Sequence, residues 1–285
     1  MSKKKDERQT QIRNILLQEG RIKIVDLAKL LKVTPETLRN DLNEMEQQNI
    51  VIREHGYARM DNSLGELPVY LRSQEHPKEK RKVVFRAFQE IKDGQVVYLD
   101  SGSTIILGIQ YITMKKDLTI VTNSLPLALE CAKMNLRIVF AGGNVLNEGL
   151  RCYGFFADEV INRINIDVAI LGTDGIMNCD GFTHNDMREV GFKRHIINRS
   201  KKIIAVCDRY KFQKEAPFIY CKFSEIDQLI TNELTKEELE QVKDIKNIIQ
   251  IKEAEASFAV HIVFNATEKI ITAEPIKAYV PIVSP

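Results

Sequence analysis

The 285-residue sequence contains no tryptophan and only five cysteines. The cysteines are odd in number and widely spaced, and no Cys-x-x-Cys occurs, so neither a zinc knuckle nor a redox pair is indicated. We expect five reduced thiols in a reducing cytosol. They are Cys131, Cys152, Cys179, Cys207 and Cys221.

Long apolar runs are also missing. No stretch approaches the ~20 residues that a bilayer-spanning helix needs, and no apolar segment follows the basic N-terminus, so we expect a cytoplasmic protein without membrane contact. A charge excess is missing too, because 41 basic and 39 acidic residues give a net charge of +2. This excludes a polybasic coat but not a local basic face. The length fits about two domains.

The N-terminal sixty residues predict three helices. Apolar spacing predicts a first helix around Ile12 and a second over Val25 to Leu31. After a short turn, Thr34 is a suitable N-cap and Pro35 a suitable first residue for a third helix that runs to about Gln48. Helix, tight turn and helix is the arrangement that places a recognition helix in the major groove of DNA.

The third helix has an apolar stripe, formed by Leu38, Leu42 and Met45, and a polar outer face. Asparagine side chains can hydrogen-bond to adenine edges and arginine to guanine, so the polar face is predicted to contact DNA. The alternative is a helical hairpin whose polar face is only solvated. The predicted DNA-contacting residues of this helix and its cap are Thr34, Glu36, Thr37, Arg39, Asn40 and Asn43.

Two short extended runs follow the third helix. Residues 50–54 and 57–60 are joined at His55-Gly56, which predicts a β-hairpin, the wing of a winged helix. Arg53, His55 and Arg59 lie where a wing meets phosphates, and Arg53 and His55 complete the predicted DNA-binding set.

From Val96 onward, strand, loop and helix alternate, which predicts a doubly wound α/β domain with ligands bound beyond the carboxyl ends of its strands. Several candidate strands are continuous apolar runs, as expected for buried parallel strands. The candidates are Val96–Leu99, Leu118–Thr122, Arg137–Ala141, Asp167–Gly172, Lys202–Cys207, Glu225–Thr231 and Asn247–Ile251.

The loop after the first of these strands is Asp100-Ser101-Gly102-Ser103-Thr104. Its backbone N–H groups and hydroxyls can converge on an anion, although such turns also serve only to cap helices. Polar or glycine-rich loops follow later strands as well. The candidate ligand-binding residues there are Asn123, Gly142, Gly143, Asp174, Gly175, Lys193 and Lys211, with Asn123 and Asp174 suited to sugar hydroxyls and either lysine to a phosphate.

Taken in order, these motifs resemble the DeoR family of bacterial regulators. Residues 8–60 resemble its DNA-binding domain, carrying Thr37-Leu38-Arg39-Asn40-Asp41-Leu42 and Arg53-Glu54-His55-Gly56, although the family usually has arginine at position 40 and glycine at 57. Residues 80–251 resemble its effector domain, whose fold is similar to ribose-5-phosphate isomerase. The resemblance implies that Ser101 to Thr104 hold a phosphate, and it adds Glu189 to the candidate effector-binding residues.

A sugar-phosphate isomerase with a DNA-binding appendage is the alternative function, and a DNA-bound scaffold with a vestigial crevice is a third. By resemblance, the isomerases use two Asp, a Lys and a Glu. Asp174 and Glu189 match, but Leu171 stands for the other Asp, and residues 181–184 replace the lysine loop. This favours a sensor over an enzyme. His184 and His195 are expected in loop or helix-surface roles, and no metal or cofactor is predicted.

We therefore predict a DNA-binding domain over 1–60, a linker over 61–78, an effector domain over 79–251, and an extension over 252–285 with extra strands at 258–264 and 279–283 or a subunit contact. The expected function is repression of a sugar catabolic operon, relieved by a phosphorylated sugar. Expected partners are double-stranded operator DNA, that effector, and further copies of the chain in a dimer or tetramer, because one short helix reads too few bases.

Overall fold

The computed structural model describes residues 3–19, 21–47, 50–60, 69–147 and 149–252. The N-terminal region contains three helices, α1 (Lys3–Glu19), α2 (Ile24–Leu30) and α3 (Pro35–Gln47). A three-stranded antiparallel sheet completes it, with β1 (Arg21–Lys23), β2 (Val51–Glu54) and β3 (Tyr57–Met60) in the order β1-β3-β2. The predicted hairpin is present, and β1, which the sequence did not predict, pairs with its second strand.

The apolar stripe of α3 forms the core of this region. Leu38, Leu42 and Met45 are fully buried and pack with Ile12 and Leu16 of α1. A bidentate ion pair between Arg8 of α1 and buried Asp41 of α3 joins the same two helices, and one of its bonds is 3.0 Å long. The helix-turn-helix is confirmed, with its polar face directed away from this core.

The second region is built on a seven-stranded parallel sheet, with strand order β14-β13-β11-β9-β4-β5-β6. Its strands are β4 (Val96–Leu99), β5 (Thr119–Thr122), β6 (Arg137–Phe140), β9 (Ile166–Gly172), β11 (Ser200–Val206), β13 (Gln228–Asn232) and β14 (Ile248–Ile251). All seven candidate strands are therefore members of one sheet.

Helices cover both faces of this sheet. They are α4 (Val69–Arg72), α5 (Pro77–Gln89), α6 (Ser103–Leu107), α7 (Leu125–Lys133), α8 (Phe155–Asn162), α9 (Met187–Arg199) and α10 (Lys236–Gln241). Short 3-10 helices span Ile109–Met114, Arg209–Gln213 and Phe223–Glu225. Alternate residues of β4 pack into the hydrophobic cores on opposite faces of the sheet. Leu99 packs with α5, whereas Tyr98 packs with α9. The doubly wound fold is confirmed.

The strand order reverses between β4 and β9. From β4 the chain moves outward through β5 and β6, then returns to β9 on the other side of β4 and continues outward to β14. Loops that leave two such strands diverge to opposite faces, which opens a crevice at their carboxyl ends.

Two antiparallel pairs were not predicted. One joins β7 (Asn144–Leu146) to β8 (Arg151–Tyr153), and the other joins β10 (Gly181–His184) to β12 (Phe218–Lys222). The strands of the first pair have three residues each, too few for a clear alternation. The partners of the second pair are separated by more than thirty residues, so no local turn marks them.

The expected linker, 61–78, ends in regular structure. Residues 61–68 lie outside the described part of the chain, whereas residues 69–78 include α4 and the first two residues of α5, and Val69 is buried. The strands expected at 258–264 and 279–283 also lie outside the described residues. Within the described part, none of the helices combines the length and apolar character needed to cross a membrane.

Candidate functional site

A cleft lies at the carboxyl ends of β4 and β9, where the strand order reverses. Polar side chains and two glycine-containing, hydroxyl-rich turns form most of its wall. The lining residues are Arg72, Asp100, Ser101, Gly102, Ser103, Thr104, Ile105, Gly172, Thr173, Asp174, His184, Cys207, Lys193 and Lys211. The structure therefore brings together all five residues of the predicted anion loop with Asp174 and both predicted lysines.

The loop that follows β4 contributes hydroxyls to this cleft. Ser101, Ser103 and Thr104 are all buried, and Gly102 immediately precedes α6. Gly102 has an ordinary φ of −68°, and a Cβ placed on it would have no heavy atom within 4 Å. A ligand can therefore approach the backbone of this loop closely, because no side chain occupies the space in front of Gly102.

Asp100 points back into the protein. Its Oδ2 accepts from the backbone N–H of Gly172 at 2.8 Å and from Lys193 Nζ, and its Oδ1 accepts from the N–H of Ser101 at 2.9 Å. Burial opposes ionisation of Asp100, but Lys193 and the N–H of Gly172 outweigh it and lower the pKa of the carboxyl. Asp100 thus ties its loop to the end of β9, and Lys193 is held in an ion pair inside the cleft wall.

Asp174 follows β9 and lies beside Arg72, His184 and Lys211. Its Oδ1 lies 3.5 Å from Nη1 of Arg72, its Oδ2 lies 3.5 Å from Nδ1 of His184, and its carbonyl accepts from Lys211 at 3.3 Å. The N–H of Asn185 donates to Oδ2 at 2.9 Å. Although burial favours the neutral acid, these neighbours hold the pKa of Asp174 well below its usual range.

Two cations of the site come from α4 and α5, where the sequence indicated none. Arg72 reaches Asp174, and Lys80 donates to the carbonyl of Arg72 and, at 3.3 Å, to Oγ of Ser103. Burial lowers the pKa of Lys80 to about 8. Nearby, Glu75 pairs with Lys214 at 3.3 Å. These residues were not predicted as part of the site, because Arg72 and Glu75 fall within the predicted linker and Lys80 lies just beyond it.

His184 does not have the loop or helix-surface role that was expected. It is a buried residue of β10 that lines the cleft, and its Nδ1 accepts from the N–H of Asp186 at 3.0 Å. The long-range pairing of β10 with β12 turns this segment into a strand and carries its last side chain to the ligand-facing edge. His195 is half-buried on α9, with Nδ1 2.9 Å from Oδ1 of Asn162.

The other predicted effector residues lie next to the cleft and do not line it. Asn123 accepts from the hydroxyl of Tyr98 at 3.1 Å and donates to a backbone carbonyl, and Glu189 forms a buried ion pair with Arg151 at 3.1 Å. Close backbone contacts explain two of the glycines, since a Cβ at Gly143 or Gly175 would overlap a carbonyl oxygen of Tyr153 or Lys214 respectively. Gly142 has only ordinary contact with Phe140.

The outer face of α3 is available to a partner. Thr34, Glu36, Arg39, Asn40 and Asn43 are exposed, and Thr37 is half-buried. Oγ1 of Thr34 accepts from the N–H of Thr37 at 3.2 Å, which caps the helix as predicted. The side chain of Arg39 is 60% exposed and lies 3.7 Å from Glu36, a contact that solvent screens.

Arg53, which was predicted to contact DNA phosphates, is half-buried and pairs with Glu46. Its Nε donates to Glu46 of α3 at 2.9 Å, and its backbone N–H donates to the same carboxylate at 3.1 Å. The pair fixes the wing to the recognition helix. At the wing itself His55 is exposed, with φ at 48°, and the guanidinium of Arg21 lies 4.1 Å from the centre of the Tyr57 ring.

Two family models match this chain. Residues 8–64 match the DeoR-like helix-turn-helix domain, and residues 75–233 match the DeoR C terminal sensor domain. The chain belongs to the DeoR family. The resemblance drawn from the sequence is thereby confirmed, and the protein is a DNA-binding transcriptional regulator with a C-terminal sensor domain.

Curated relatives cover most of this DeoR-family chain. The glycerol-3-phosphate regulon repressor of Escherichia coli is 29% identical over 230 residues, 80% of this chain and 91% of its own. The transcriptional repressor GlcR of Bacillus subtilis is 31% identical over 231 residues, 80% of this chain and 89% of its own. Among solved structures, ribose 5-phosphate isomerase A of Methanocaldococcus jannaschii is 16% identical, with a TM-score of 0.34 over 46% of this chain and 52% of the isomerase.

Proposed function

We propose that this regulator represses genes of sugar metabolism and that a phosphorylated sugar, or a similar polyol phosphate, releases it from operator DNA. The observation that carries the proposal is the cleft at the strand-order reversal, where the hydroxyls of Ser101, Ser103 and Thr104 face buried cationic side chains. The names of the relatives, a glycerol-3-phosphate regulon repressor and a repressor, GlcR, support the same class of effector.

The chemistry of the cleft suits a ligand with two different ends. Serine and threonine hydroxyls, together with Lys211, which lines the same cleft, can bind a phosphate dianion. Asp174 is ionised and buried beside them, and a carboxylate accepts hydrogen bonds from sugar hydroxyls. Inorganic phosphate would contact only the hydroxyls and Lys211. The presence of Asp174 beside them therefore favours a phosphorylated polyol over inorganic phosphate.

The arrangement of the carboxylates supports a sensor over an isomerase. Proton abstraction requires a base within hydrogen-bond reach of the substrate, directly or through one water. Glu189 is fully buried against Arg151 outside the cleft, and Asp174 is surrounded by Arg72 and His184. Leu171 is buried in the sheet, where it contributes no acid. We therefore infer that the protein binds phosphosugars without converting them.

The DNA-binding unit is proposed to be a homo-oligomer. The exposed face of α3 spans about two turns and can contact only a few base pairs, so useful specificity requires at least two copies on half-sites ~34 Å apart. The predicted DNA-contacting residues of that face and of the wing tip, Arg39 and His55 among them, are proposed to contact the operator. Binding of the effector would then shift the population of DNA-competent oligomers.

The test combines ligand binding with DNA release on the full chain. Thermal unfolding is measured with sn-glycerol 3-phosphate, glucose 6-phosphate and ribose 5-phosphate, and with glycerol, glucose and ribose as controls. At ~100 times its dissociation constant an effector adds ~2.7 kcal/mol to stability. The same compound should release a fluorescent duplex that the protein has selected from genomic fragments, while NMR of each phosphosugar shows no conversion. Equal effects of free and phosphorylated sugars, or steady conversion, would refute the proposal.

A further inference from the structure

Arg72 lies outside both family models yet lines the ligand cleft. The models end at residue 64 and begin again at residue 75, so the segment between them, including α4, belongs to neither. The guanidinium of Arg72 is nevertheless almost buried, with its side chain 11% exposed. The sensing cleft thus has a wall contributed by the segment that connects it to the DNA-binding domain.

The first residue of α4 is buried, and the contacts of its last residue tie it to the cleft. Val69, its first residue, is buried, and Arg72, its last, donates to Asp174 at 3.5 Å. Lys80 binds the carbonyl of Arg72 and reaches Ser103 of the anion loop. The position of α4 therefore depends on groups that a ligand in this cleft would contact.

The contact between Arg72 and Asp174 is long for a hydrogen bond, at the limit where such interactions weaken. A phosphate offers a guanidinium shorter, bidentate and charge-assisted bonds. Asp174 would keep Lys211, His184 and the N–H of Asn185 as neighbours if Arg72 left it. A phosphate in the cleft therefore competes with Asp174 for the guanidinium of Arg72.

We propose that Arg72 is an effector-binding residue that couples the cleft to the DNA-binding domain; the inference rests on the proposed function. A phosphate in the cleft draws the guanidinium away from Asp174, and α4 moves with it. Only eight residues separate the end of β3 at Met60 from the start of α4 at Val69. Because eight residues reach at most ~28 Å, a shift of α4 constrains where the wing can lie.

The experiment measures binding and DNA release separately for Arg72→Gln, Arg72→Lys and the control Lys78→Gln. Lys78 is an exposed cation on α5 and does not line the cleft. The probe is whichever of sn-glycerol 3-phosphate, glucose 6-phosphate and ribose 5-phosphate raises the melting temperature of the wild type most. Calorimetry gives its dissociation constant, and fluorescence anisotropy gives the fraction of DNA released at saturating probe.

Arg72→Gln is expected to bind the probe about 10- to 100-fold more weakly, since it loses a charge-assisted contact. At saturation it should still retain most of its DNA, and Arg72→Lys, which keeps the charge but not the planar fork, should release an intermediate fraction. Lys78→Gln should match the wild type in both measurements. Full release by either Arg72 variant at saturation would overturn the coupling role. Absence of any thermal shift in the wild type would instead mean that the proposed function itself is wrong.

Discussion

Substitution of Gly102 by valine separates ligand recognition from folding. The backbone at Gly102 has a φ of −68°, which any residue adopts, and a Cβ there has no heavy atom within 4 Å. The new side chain should therefore enter the cleft without displacing protein atoms. Because the folded conformation is compatible and the unfolded chain loses freedom, stability should change by less than ~1 kcal/mol.

The loss of effector affinity should be far larger. Three carbon atoms in front of the loop prevent a phosphate from reaching the backbone and the hydroxyls of Ser101 and Ser103 together. Each charge-assisted hydrogen bond contributes ~1.5–3 kcal/mol, so the loss of two weakens binding by ~3–6 kcal/mol. That corresponds to a ~150- to 20,000-fold increase in the dissociation constant.

The assay is a DNA-release titration with phosphosugar and free sugar side by side, together with the melting temperature of each variant. Gly191→Val is the matched control, since Gly191 is exposed on α9 and also has open space around its Cβ position. Gly102→Val should bind DNA as the wild type does and fail to respond to the phosphosugar, whereas the control should respond normally. A Gly102→Val protein that releases DNA at the wild-type midpoint would refute phosphate binding at this loop.

Three further predictions concern the DNA-binding face and the charge of the cleft. Arg39→Ala should weaken binding to operator DNA by ~1–3 kcal/mol per lost base contact and leave binding to non-specific DNA nearly unchanged, with both measured at one salt concentration. Equal losses of affinity for operator and non-specific DNA would contradict a base-reading role. Arg53→Ala should weaken binding to every sequence, and Glu46→Gln should do so to a smaller extent, because their ion pair positions the wing; tighter binding by Glu46→Gln would exclude this. Effector affinity should fall by up to ~10-fold from pH 7 to pH 9. The pKa of Lys80 is about 8, so its ammonium group is charged at pH 7 and largely neutral at pH 9. A bound dianion favours the charged form of Lys80 and therefore binds more weakly at the higher pH. Calorimetry at both pH values tests this, with Lys80→Arg expected to show no decline and a flat wild-type profile counting against it.

The seven-stranded sheet was predictable because buried parallel strands are continuous apolar runs bounded by polar loops. Val96–Leu99 matches β4 at both ends, and the candidate at 225–231 overlaps β13 with its start three residues too early. That shift has a local cause, since Ile226 directly follows a 3-10 helix at 223–225 and packs into the same core although it precedes the strand. Hydrophobicity alone does not distinguish such a turn from the beginning of a strand.

The α4 wall of the cleft was not predictable from local pattern. Arg72 and Asp174 are separated by 102 residues, and neither the four-residue helix nor its single cation has a periodic signal. His184 was missed for the same reason, because its strand exists only through pairing with β12. Loops that follow predicted strands can be assigned to one edge of a sheet, but elements that pack over that edge from elsewhere cannot.

The charges of the cleft are nearly balanced before any ligand is considered, and this bears on how sensing works. Buried cations are matched by buried carboxylates, the two sets being Arg72, Lys80, Lys193 and Lys211 against Glu75, Asp100, Asp174 and Asp208. A dianion in such a site gains little from uncompensated positive charge, so it must take cations from their present partners. Lys193 is poorly placed to leave, because Asp100 and the nearby Tyr220 ring enclose it. Arg72, whose ion pair with Asp174 is longer than that of Lys193 with Asp100, is better placed to exchange than Lys193, and it is the cation attached to the segment that leads to the DNA-binding domain.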